Sequence, residues 1–283
     1  MIIDFHAHIF PDHMAAGVID KLSRLSRSIA FTDGTLNGLT RSMHNANIDL
    51  SIVLPVATND HQVKKLNDIS ARNNEQHSNV FMLGAMHPDF TNYAEELSRI
   101  AQLGLKGIKI HPVYQETNID DIKFLRILDR AAEVGLFVVT HAGADIGFPG
   151  VEHCSPSMIK HAFNAVGNFN LIAAHMGGWK NWDESLTELA NTNVFVDTAF
   201  STEKIIPRGD CQWNENDLQM LDADRFMQFK KAFGADRIIF GTDTPWSDQK
   251  RSLEFINQLP LSVDDKNKIL GGNAAQLLNI QHA

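Results

Sequence analysis

The sequence predicts an α/β protein in which residues 1–283 form one domain, a (β/α)8 TIM barrel. Short apolar runs alternate with longer amphipathic segments, and this alternation yields eight strand candidates. The runs are almost continuously apolar, which is typical of parallel strands covered by helices. No linker, repeat or low-complexity tract divides the chain. A doubly wound open sheet is the alternative, because the number of strands does not prove closure.

The strands are predicted from runs rich in Ile, Val, Leu, Phe and Ala that end at a polar residue, a glycine or a proline. In chain order they are residues 2–8, 49–55, 80–86, 107–112, 136–141, 170–175, 194–198 and 237–243.

Helical spacing between these runs predicts the covering helices, at residues 59–77, 93–103, 120–134, 156–166, 183–191 and one that ends near 233. Gly104 and Gly135 follow two of them in the position of a C-cap. Ser155 is placed as an N-cap before Pro156, a residue favoured at the first helical position.

Two segments are long for barrel loops, residues 10–47 after the first strand and residues 200–216 after the seventh. The first contains helical patterns and a turn-like Thr32-Asp33-Gly34. Long segments at a functional rim are often lids, and we expect that role here.

Composition limits the classes of function. A hydrophobic content of 43% is enough for a large core, whereas a net charge of -9 without a basic cluster disfavours a nucleic-acid partner. No apolar run approaches the roughly 18 residues of a membrane helix. The chain has 2 cysteines and runs from Met1 straight into a strand without a signal-peptide pattern, so we expect a cytoplasmic protein.

The run Asp4-Phe5-His6-Ala7-His8 places two histidines two positions apart on the first strand. Residues two apart in a strand project from the same face, so both imidazoles point the same way. Two neutral imidazoles on a rigid strand form half of a site for a metal such as zinc. A single His-x-His motif is equally compatible with two histidines that pack in the core.

Further strand ends carry polar residues of the same kind, namely Lys109, His111, His141, His175 and Asp243. The carboxyl ends of barrel strands converge on one rim, where such folds keep their active sites. Histidines buried among aliphatic side chains cost stability unless both nitrogens are satisfied, so their repeated placement indicates a site rather than packing.

The chain resembles the amidohydrolase superfamily of metal-dependent barrels. The motifs are the opening His-x-His, Ala174-His175-Met176-Gly177-Gly178 and Gly241-Thr242-Asp243-Thr244-Pro245-Trp246. They look most like the amidohydrolase-related branch that includes aminocarboxymuconate-semialdehyde decarboxylase. In that branch a glycine usually follows the sixth-strand histidine directly, whereas Met176 intervenes here.

The resemblance implies that His6, His8, His141 and Asp243 bind one divalent metal ion, most often Zn2+. It also implies that His175 is a catalytic residue beside the metal, and that Asp243 carries the proton of the attacking water. In some members of the superfamily a fourth-strand lysine is carbamylated and bridges two metals, which is one alternative for Lys109.

The chemistry expected of such a site is hydrolysis of an amide, ester or lactone bond in a small polar or carboxylated molecule. Zinc lowers the pKa of its bound water to roughly 7, Asp243 is placed to take the proton, and His175 to polarise a carbonyl. The same residues permit non-oxidative decarboxylation of a small unsaturated carboxylic acid. A catalytically silent metal-binding barrel is the alternative outside enzymes.

Substrate contacts are expected from Lys109, as a point charge for a carboxylate, and from His111, Trp246 and Arg208. Trp246 is equally compatible with packing, and Arg208 with a solvated position. Asp145 either turns away with its loop or orients an imidazole. The expected partner is a small-molecule substrate, and a homodimer is left open.

Overall fold

Nine short strands run parallel in a computed structural model that describes residues 1–167, 169–209 and 211–280. Each is hydrogen-bonded to its neighbours in chain order within two sheets, β1 to β3 and β4 to β9. The strands are β1 Ile3–Ala7, β2 Leu50–Val53, β3 Val80–Met82, β4 Gly84–Ala85, β5 Gly107–Ile110, β6 Phe137–Thr140, β7 Leu171–Ala173, β8 Phe195–Asp197 and β9 Ile238–Ile239.

The first and last strands meet and close the sheet into a barrel. The N–H of Phe5 donates to Phe240 O at 2.9 Å, and the N–H of Asp243 donates to His6 O at 2.7 Å. Ala7 and Thr244 form a parallel bridge one step further along. The predicted (β/α)8 barrel is therefore confirmed, and the doubly wound alternative was wrong.

The third predicted strand, residues 80–86, is divided into β3 and β4. Oδ1 of Asn74 accepts a hydrogen bond from the N–H of Met82 at 2.7 Å, and Nδ2 of Asn74 donates to the carbonyl oxygen of Met82 at 2.9 Å. The ladder is interrupted there, although the N–H of Leu83 still donates to Val53 O on β2 at 3.0 Å. A side chain thus replaces strand pairing at one position, which a hydrophobic pattern does not reveal.

The helices of the described chain are α1 Asp12–Ser26, α2 Leu36–Ala46, α3 Val63–Gln76, α4 Tyr93–Gln102, α5 Ile122–Glu133, α6 Pro156–Val166, α7 Trp182–Glu188, α8 Glu215–Leu218, α9 Ala223–Phe233, α10 Gln249–Gln258, α11 Val263–Asn267 and α12 Asn273–Leu278. Ser155 caps α6 as predicted, because its side chain accepts the N–H of Met158. Asp222 caps α9 by accepting the N–H of Arg225, so the predicted helix ending near 233 is preceded by a separate short turn, α8.

The segment after β1 contains α1 and α2 rather than one loop. The residues between them join the segment after β8: the N–H of Ile29 donates to Ile206 O at 3.1 Å, and Trp213 Nε1 donates to Arg27 O at 2.9 Å. The two long segments therefore cover the same side of the rim. That they act as lids stays a prediction.

Two sets of buried apolar residues form the core. On β6, Val138 belongs to the larger cluster packed against the covering helices, whereas Phe137 and Val139 belong to a second cluster with Phe5 and Ile239. This alternation is expected of a closed barrel whose strands have one face inside and one outside. In the described residues, no helix has both the length and the apolar character to cross a membrane.

Candidate metal centre at the barrel mouth

A bulge in β1 sets the direction of the histidine pair. Phe5 packs with the second apolar cluster, inside the barrel, and Ala7 packs with the larger cluster between the barrel and the helices. The pairing with β2 shifts register between Asp4 and Ala7. An extra residue at this point reverses the inside–outside alternation in the remainder of the strand. His6 and His8 therefore face the mouth together, while Phe5 still fills the interior.

The hydrogen bonds of the two histidines leave both Nε2 atoms as acceptors. His6 Nδ1 lies 2.8 Å from Oδ2 of Asp197, and His8 Nδ1 lies 3.0 Å from the carbonyl oxygen of Leu54. An oxygen acceptor requires the proton on Nδ1 in each ring. The two Nε2 atoms then approach the same atom, Oδ1 of Asp243, at 3.5 and 3.0 Å. Acceptors this close need a proton or a metal cation between them.

Asp243 is held in place by its backbone and by Asp4. Its φ is 68°, in the left-handed region that aspartate tolerates better than most residues. The buried carboxylate of Asp4 accepts the N–H of Thr242 at 2.9 Å, its hydroxyl at 2.7 Å and Gln249 Nε2 at 2.7 Å. Gly241 also requires the absence of a side chain, since a Cβ would lie 2.9 Å from Cβ of His6. The opening and closing strands are thus fastened beside the site.

His141 and His175 are joined ring to ring. His175 Nδ1 lies 2.9 Å from Ala199 O, so it carries the proton and leaves Nε2 as an acceptor. That atom lies 3.1 Å from His141 Nδ1, which must then be the donor. His141 Nε2 is consequently a bare lone pair, and it is buried without a hydrogen-bond partner. A buried nitrogen of this kind needs an electrophile, and a metal cation is one.

A second group of polar side chains lies on the other side of His141. The His111 ring stacks on the His141 ring with centroids 4.2 Å apart, and Tyr114 stacks on His111 at 3.9 Å. Asp145 Oδ2 lies 3.7 Å from Nε2 of His111 and 4.0 Å from Nε2 of His141. The loop can return this closely because residue 143 is a glycine, with φ at 80°. A Cβ at this position would lie 2.4 Å from the backbone nitrogen of Trp179.

Lys109 lies beside the first histidine of the pair. It is buried, and its Nζ is 3.5 Å from Nε2 of His6. Burial lowers the pKa of Lys109 to about 8, although the charges of Asp197 and Asp243 oppose this change. The sequence-based roles, binding of a substrate carboxylate or carbamylation, stay predictions.

Burial controls the protonation of the group. It lowers the pKa of His6, His111 and His141 well below the usual range of histidine, so these rings are neutral and able to bind a cation. Burial raises the pKa of Asp145 to about 6. Burial alone would also raise the pKa of Asp243, but the hydrogen bond from His8 and the neighbouring histidines lower it overall.

Arg208 and Trp246 both contact residues of the two long segments. Arg208 Nη1 lies 3.4 Å from Asp20 of α1. Trp246 packs with an apolar cluster that contains Phe200 and Trp213, as the packing alternative for this residue expects. Their contact with a substrate stays a prediction.

The donor set fits a divalent cation. His6, His8 and Asp243 offer ligand atoms that all lie within 4.8 Å of one another, and His111, His141 and Asp145 form a second group with the same property. Imidazole nitrogen and carboxylate oxygen are the ligands that zinc and manganese accept. The predicted fourth ligand, His141, offers its lone pair to the second group in this structure, so its assignment to the first stays a prediction.

Asp197 and Asp4 were not predicted as part of the site. The rule that selected polar residues at strand ends applies equally to Asp197, which ends β8. Asp4 is the second residue of β1, and nothing in the sequence indicates that it faces the last strand. Tyr114 follows a predicted strand end within three residues, but its stacking on His111 depends on the loop conformation.

The barrel is closed and parallel, and imidazoles and carboxylates gather at the carboxyl ends of its strands. This combination defines the class of barrel proteins with a metal-binding type of centre at the mouth. A family model described as amidohydrolase matches residues 3–280. The chain therefore belongs to the amidohydrolase family, as its motifs predict.

Solved structures of low sequence identity share the fold. The uncharacterized TIM-barrel protein Bb4693 from Bordetella bronchiseptica has a TM-score of 0.72 at 17% identity, with 98% of each chain covered. The 5-carboxyvanillate decarboxylase LigW from Sphingomonas paucimobilis has a TM-score of 0.69 at 17% identity, with 99% of each chain covered.

A further 5-carboxyvanillate decarboxylase, LigW2 from Novosphingobium aromaticivorans, was solved with bound manganese. It has a TM-score of 0.71 at 15% identity, covering 99% of this chain and 97% of that one. No protein among those with curated descriptions matches the sequence.

Proposed function

We propose that the protein is a metal-dependent decarboxylase that removes CO2 from a small carboxylic acid without an oxidant. The observation that carries this proposal is the convergence of three potential ligand atoms on one point of the mouth, Nε2 of His6, Nε2 of His8 and Oδ1 of Asp243. The similarity in fold to two decarboxylases supports decarboxylation over the hydrolysis that the sequence motifs favour.

His6, His8 and Asp243 are the residues we propose to hold the cation, with the buried Nε2 of His141 as a fourth donor. When bound, a divalent cation supplies a Lewis acid that fixes substrate oxygen atoms and stabilises negative charge. Manganese is present in one related fold, and zinc is the ion that the sequence predicts. Both suit this donor set.

The chain itself moves the proton. In decarboxylation the bond to the carboxylate breaks, its electron pair stays on carbon, and that carbon must take up one proton. Asp243 is one of the proposed cation ligands and is our proposed proton carrier: its ionised carboxylate first takes a proton from solvent and then gives that proton to the carbon as CO2 leaves. His175 is our proposed second catalytic group, which orients and polarises the substrate; because its Nδ1 is held by Ala199 O and its Nε2 by His141, this role requires Nε2 to exchange His141 for the substrate.

Hydrolysis of an amide, ester or lactone is the second candidate. It is supported by the amidohydrolase family match and by the ionised carboxylate of Asp243, which is placed to accept a proton from water. The catalytically silent barrel is disfavoured physically. A buried acceptor such as His141 Nε2 costs stability unless it is paired, and a bound cation offsets that cost with or without turnover, so what weighs against this alternative is the presence of Asp243 and His175 as acid–base groups beside the cation ligands.

The deciding experiment uses the manganese-loaded and the zinc-loaded protein with a panel of aromatic and unsaturated carboxylic acids, lactones and amides. Released CO2 supports the decarboxylase, and a new carboxylate without CO2 supports the hydrolase instead. Turnover of neither kind across the panel contradicts both and favours a binding protein. His175→Ala, with its metal content measured, is the inactive control.

We further propose that the partner is a small-molecule substrate and that the protein acts in the cytoplasm. The low cysteine content, 2 residues in 283, supports a reducing compartment. A homodimer stays a prediction.

A further inference from the structure

The Asp145 carboxylate lies beside one of the proposed cation ligands. Its Oδ2 lies 4.0 Å from Nε2 of His141, the proposed fourth ligand. Its Oδ1 accepts the N–H of Gly147 at 2.7 Å, so the carboxylate is fixed by its own loop and not by the histidines. Asp145 is 7% exposed and is therefore shielded from bulk water.

The groups around Asp145 keep its Oδ2 directed into the mouth. Nδ1 of His111 accepts the N–H of Tyr114 at 3.4 Å, so the proton of this neutral ring is on Nε2. That N–H points toward Asp145 Oδ2 from 3.7 Å, which is too long for a hydrogen bond. The lone pair of His141 faces the same oxygen. Asp145 Oδ2 thus retains acceptor capacity on the side of the mouth.

Positive charge is scarce in this part of the protein. Lys109 is the one lysine or arginine among the buried residues of the described chain, and its Nζ lies against His6 rather than Asp145. The proposed cation is taken up by its own ligands and by the reacting carboxylate, so a second carboxylate next to Asp145 would meet a like charge with no buried lysine or arginine beside it, at a cost that rises with burial. A hydroxyl or amino group at the same place would instead donate to Oδ2.

Aromatic rings shape the space beside this carboxylate. Tyr114 stacks on His111, and Phe148 meets Tyr114 edge-on with centroids 5.4 Å apart. Burial raises the pKa of the Tyr114 phenol, and the charges of Asp145 and Asp243 raise it further. Flat rings on one wall favour a planar ligand.

We propose that Asp145 determines substrate specificity: it accepts a hydrogen bond from a hydroxyl or amino group of a planar carboxylic acid, and it rejects a second carboxylate at that place. The inference rests on the proposed function, because it takes the cation to hold the carboxylic acid. Beyond that function, the inference names Asp145 as the residue that selects among carboxylic acids. It also names the chemical class of the substituent that lies next to the reacting carboxylate, a hydrogen-bond donor.

The test is binding of matched small acids to the manganese-loaded protein, measured by calorimetry. The probes are 2-hydroxybenzoate, 2-aminobenzoate and benzene-1,2-dicarboxylate, which share a ring and one carboxylate. We expect the wild type to prefer both donor-bearing acids over the dicarboxylate. In Asp145→Asn the preference falls by about tenfold or more, since the substitution removes one charged hydrogen bond and one repulsion.

Asp224→Asn is the matched control, because Asp224 is an exposed acidic residue in the first turn of α9. It should leave the preference unchanged. Thermal unfolding of Asp145→Asn shows whether the variant is folded, and the amide oxygen can still accept the N–H of Gly147. Comparing ratios within each protein removes any difference in metal affinity.

An unchanged ratio in folded Asp145→Asn, or a wild type that prefers the dicarboxylate, overturns the role of Asp145. These outcomes are distinguishable from failure of the proposed function, since the ratio is a binding measurement and needs no turnover. A protein that shows the preference but releases no CO2 keeps this inference and loses the decarboxylase. A protein that releases CO2 with an unchanged ratio does the reverse.

Discussion

Nδ1 of His6 lies 2.8 Å from Oδ2 of Asp197, and Oδ1 of the same carboxylate accepts the N–H of His175 at 2.9 Å. One buried aspartate therefore fixes the tautomer of a histidine on β1 and the backbone of a histidine that follows β7. Burial raises the pKa of Asp197, and the surrounding bonds and the charges of His175 and Lys109 oppose that rise. A carboxylate that orients a metal-binding histidine in this way commonly has a large effect on the affinity for the metal.

Asp197→Asn should weaken divalent-metal binding by about 10- to 100-fold while the protein remains folded. The amide retains an oxygen, but it does not hold the Nδ1 proton of His6 as an ionised carboxylate does. Titration with Mn2+ or Zn2+ followed by calorimetry measures the effect. Asp224→Asn serves as the control, and an affinity equal to that of the wild type would remove Asp197 from the centre.

His6→Ala and Asp243→Ala should lose bound metal, whereas His175→Ala should keep it and lose turnover. The difference follows from position, because His6 Nε2 and Asp243 Oδ1 face each other at 3.5 Å, while His175 uses both ring nitrogens for Ala199 and His141. Metal analysis of the purified variants separates the two classes. Loss of metal in His175→Ala would make this histidine a ligand.

Metal affinity should rise with pH, and binding should release protons. In the absence of a cation, a proton between His8 Nε2 and Asp243 Oδ1 relieves the repulsion of two acceptors 3.0 Å apart. A cation must displace that proton, so affinity falls as the solution becomes acidic. Calorimetry in buffers of different ionisation enthalpy counts the released protons. His8→Asn should release fewer, and a count of zero in the wild type would contradict the proposed arrangement.

Glu203→Gln should stabilise the protein at pH 8 and leave it nearly unchanged at pH 4. Burial raises the pKa of Glu203 to about 7, and its Oε2 is buried without a hydrogen-bond partner. Because the folded state then binds more protons than the unfolded state between pH about 4.5 and 7, stability falls as pH rises through this range. A pKa increase of this size corresponds to a loss on the order of 3 kcal/mol in the free energy of unfolding above pH 7.

Urea unfolding at several pH values checks this prediction, with the expected gain confined to neutral and alkaline pH. Glu203 accepts a hydrogen bond from Ser252 Oγ, and the amide oxygen of glutamine can replace that acceptor. Asp248 adds to the cost of the charge in the wild type. A variant as sensitive to pH as the wild type would show that Glu203 is not the group responsible.

Much of the architecture could be predicted because it depends on local patterns. Each of the eight predicted strands contains an observed strand, and the caps at Ser155 and the glycine turns after α4 and α5 are written in neighbouring residues. The exceptions have specific causes. Asn74 interrupts the third strand with its side chain, Asp222 begins a new helix before residue 233, and the pattern predicts no element beyond residue 243, where α10 to α12 lie.

The sequence by itself determined the alternation of strand and helix, the family, and the polar residues at the strand ends, because these depend on residue type and spacing. Only the tertiary structure decided which atoms face one another. A bulge in β1 turns His6 and His8 toward Asp243, the carbonyl of Ala199 fixes the proton that leaves His141 with a bare nitrogen, and Gly143 brings Asp145 back to the mouth. These relationships join residues far apart in the chain, where spacing carries no information and packing and hydrogen bonding decide the geometry.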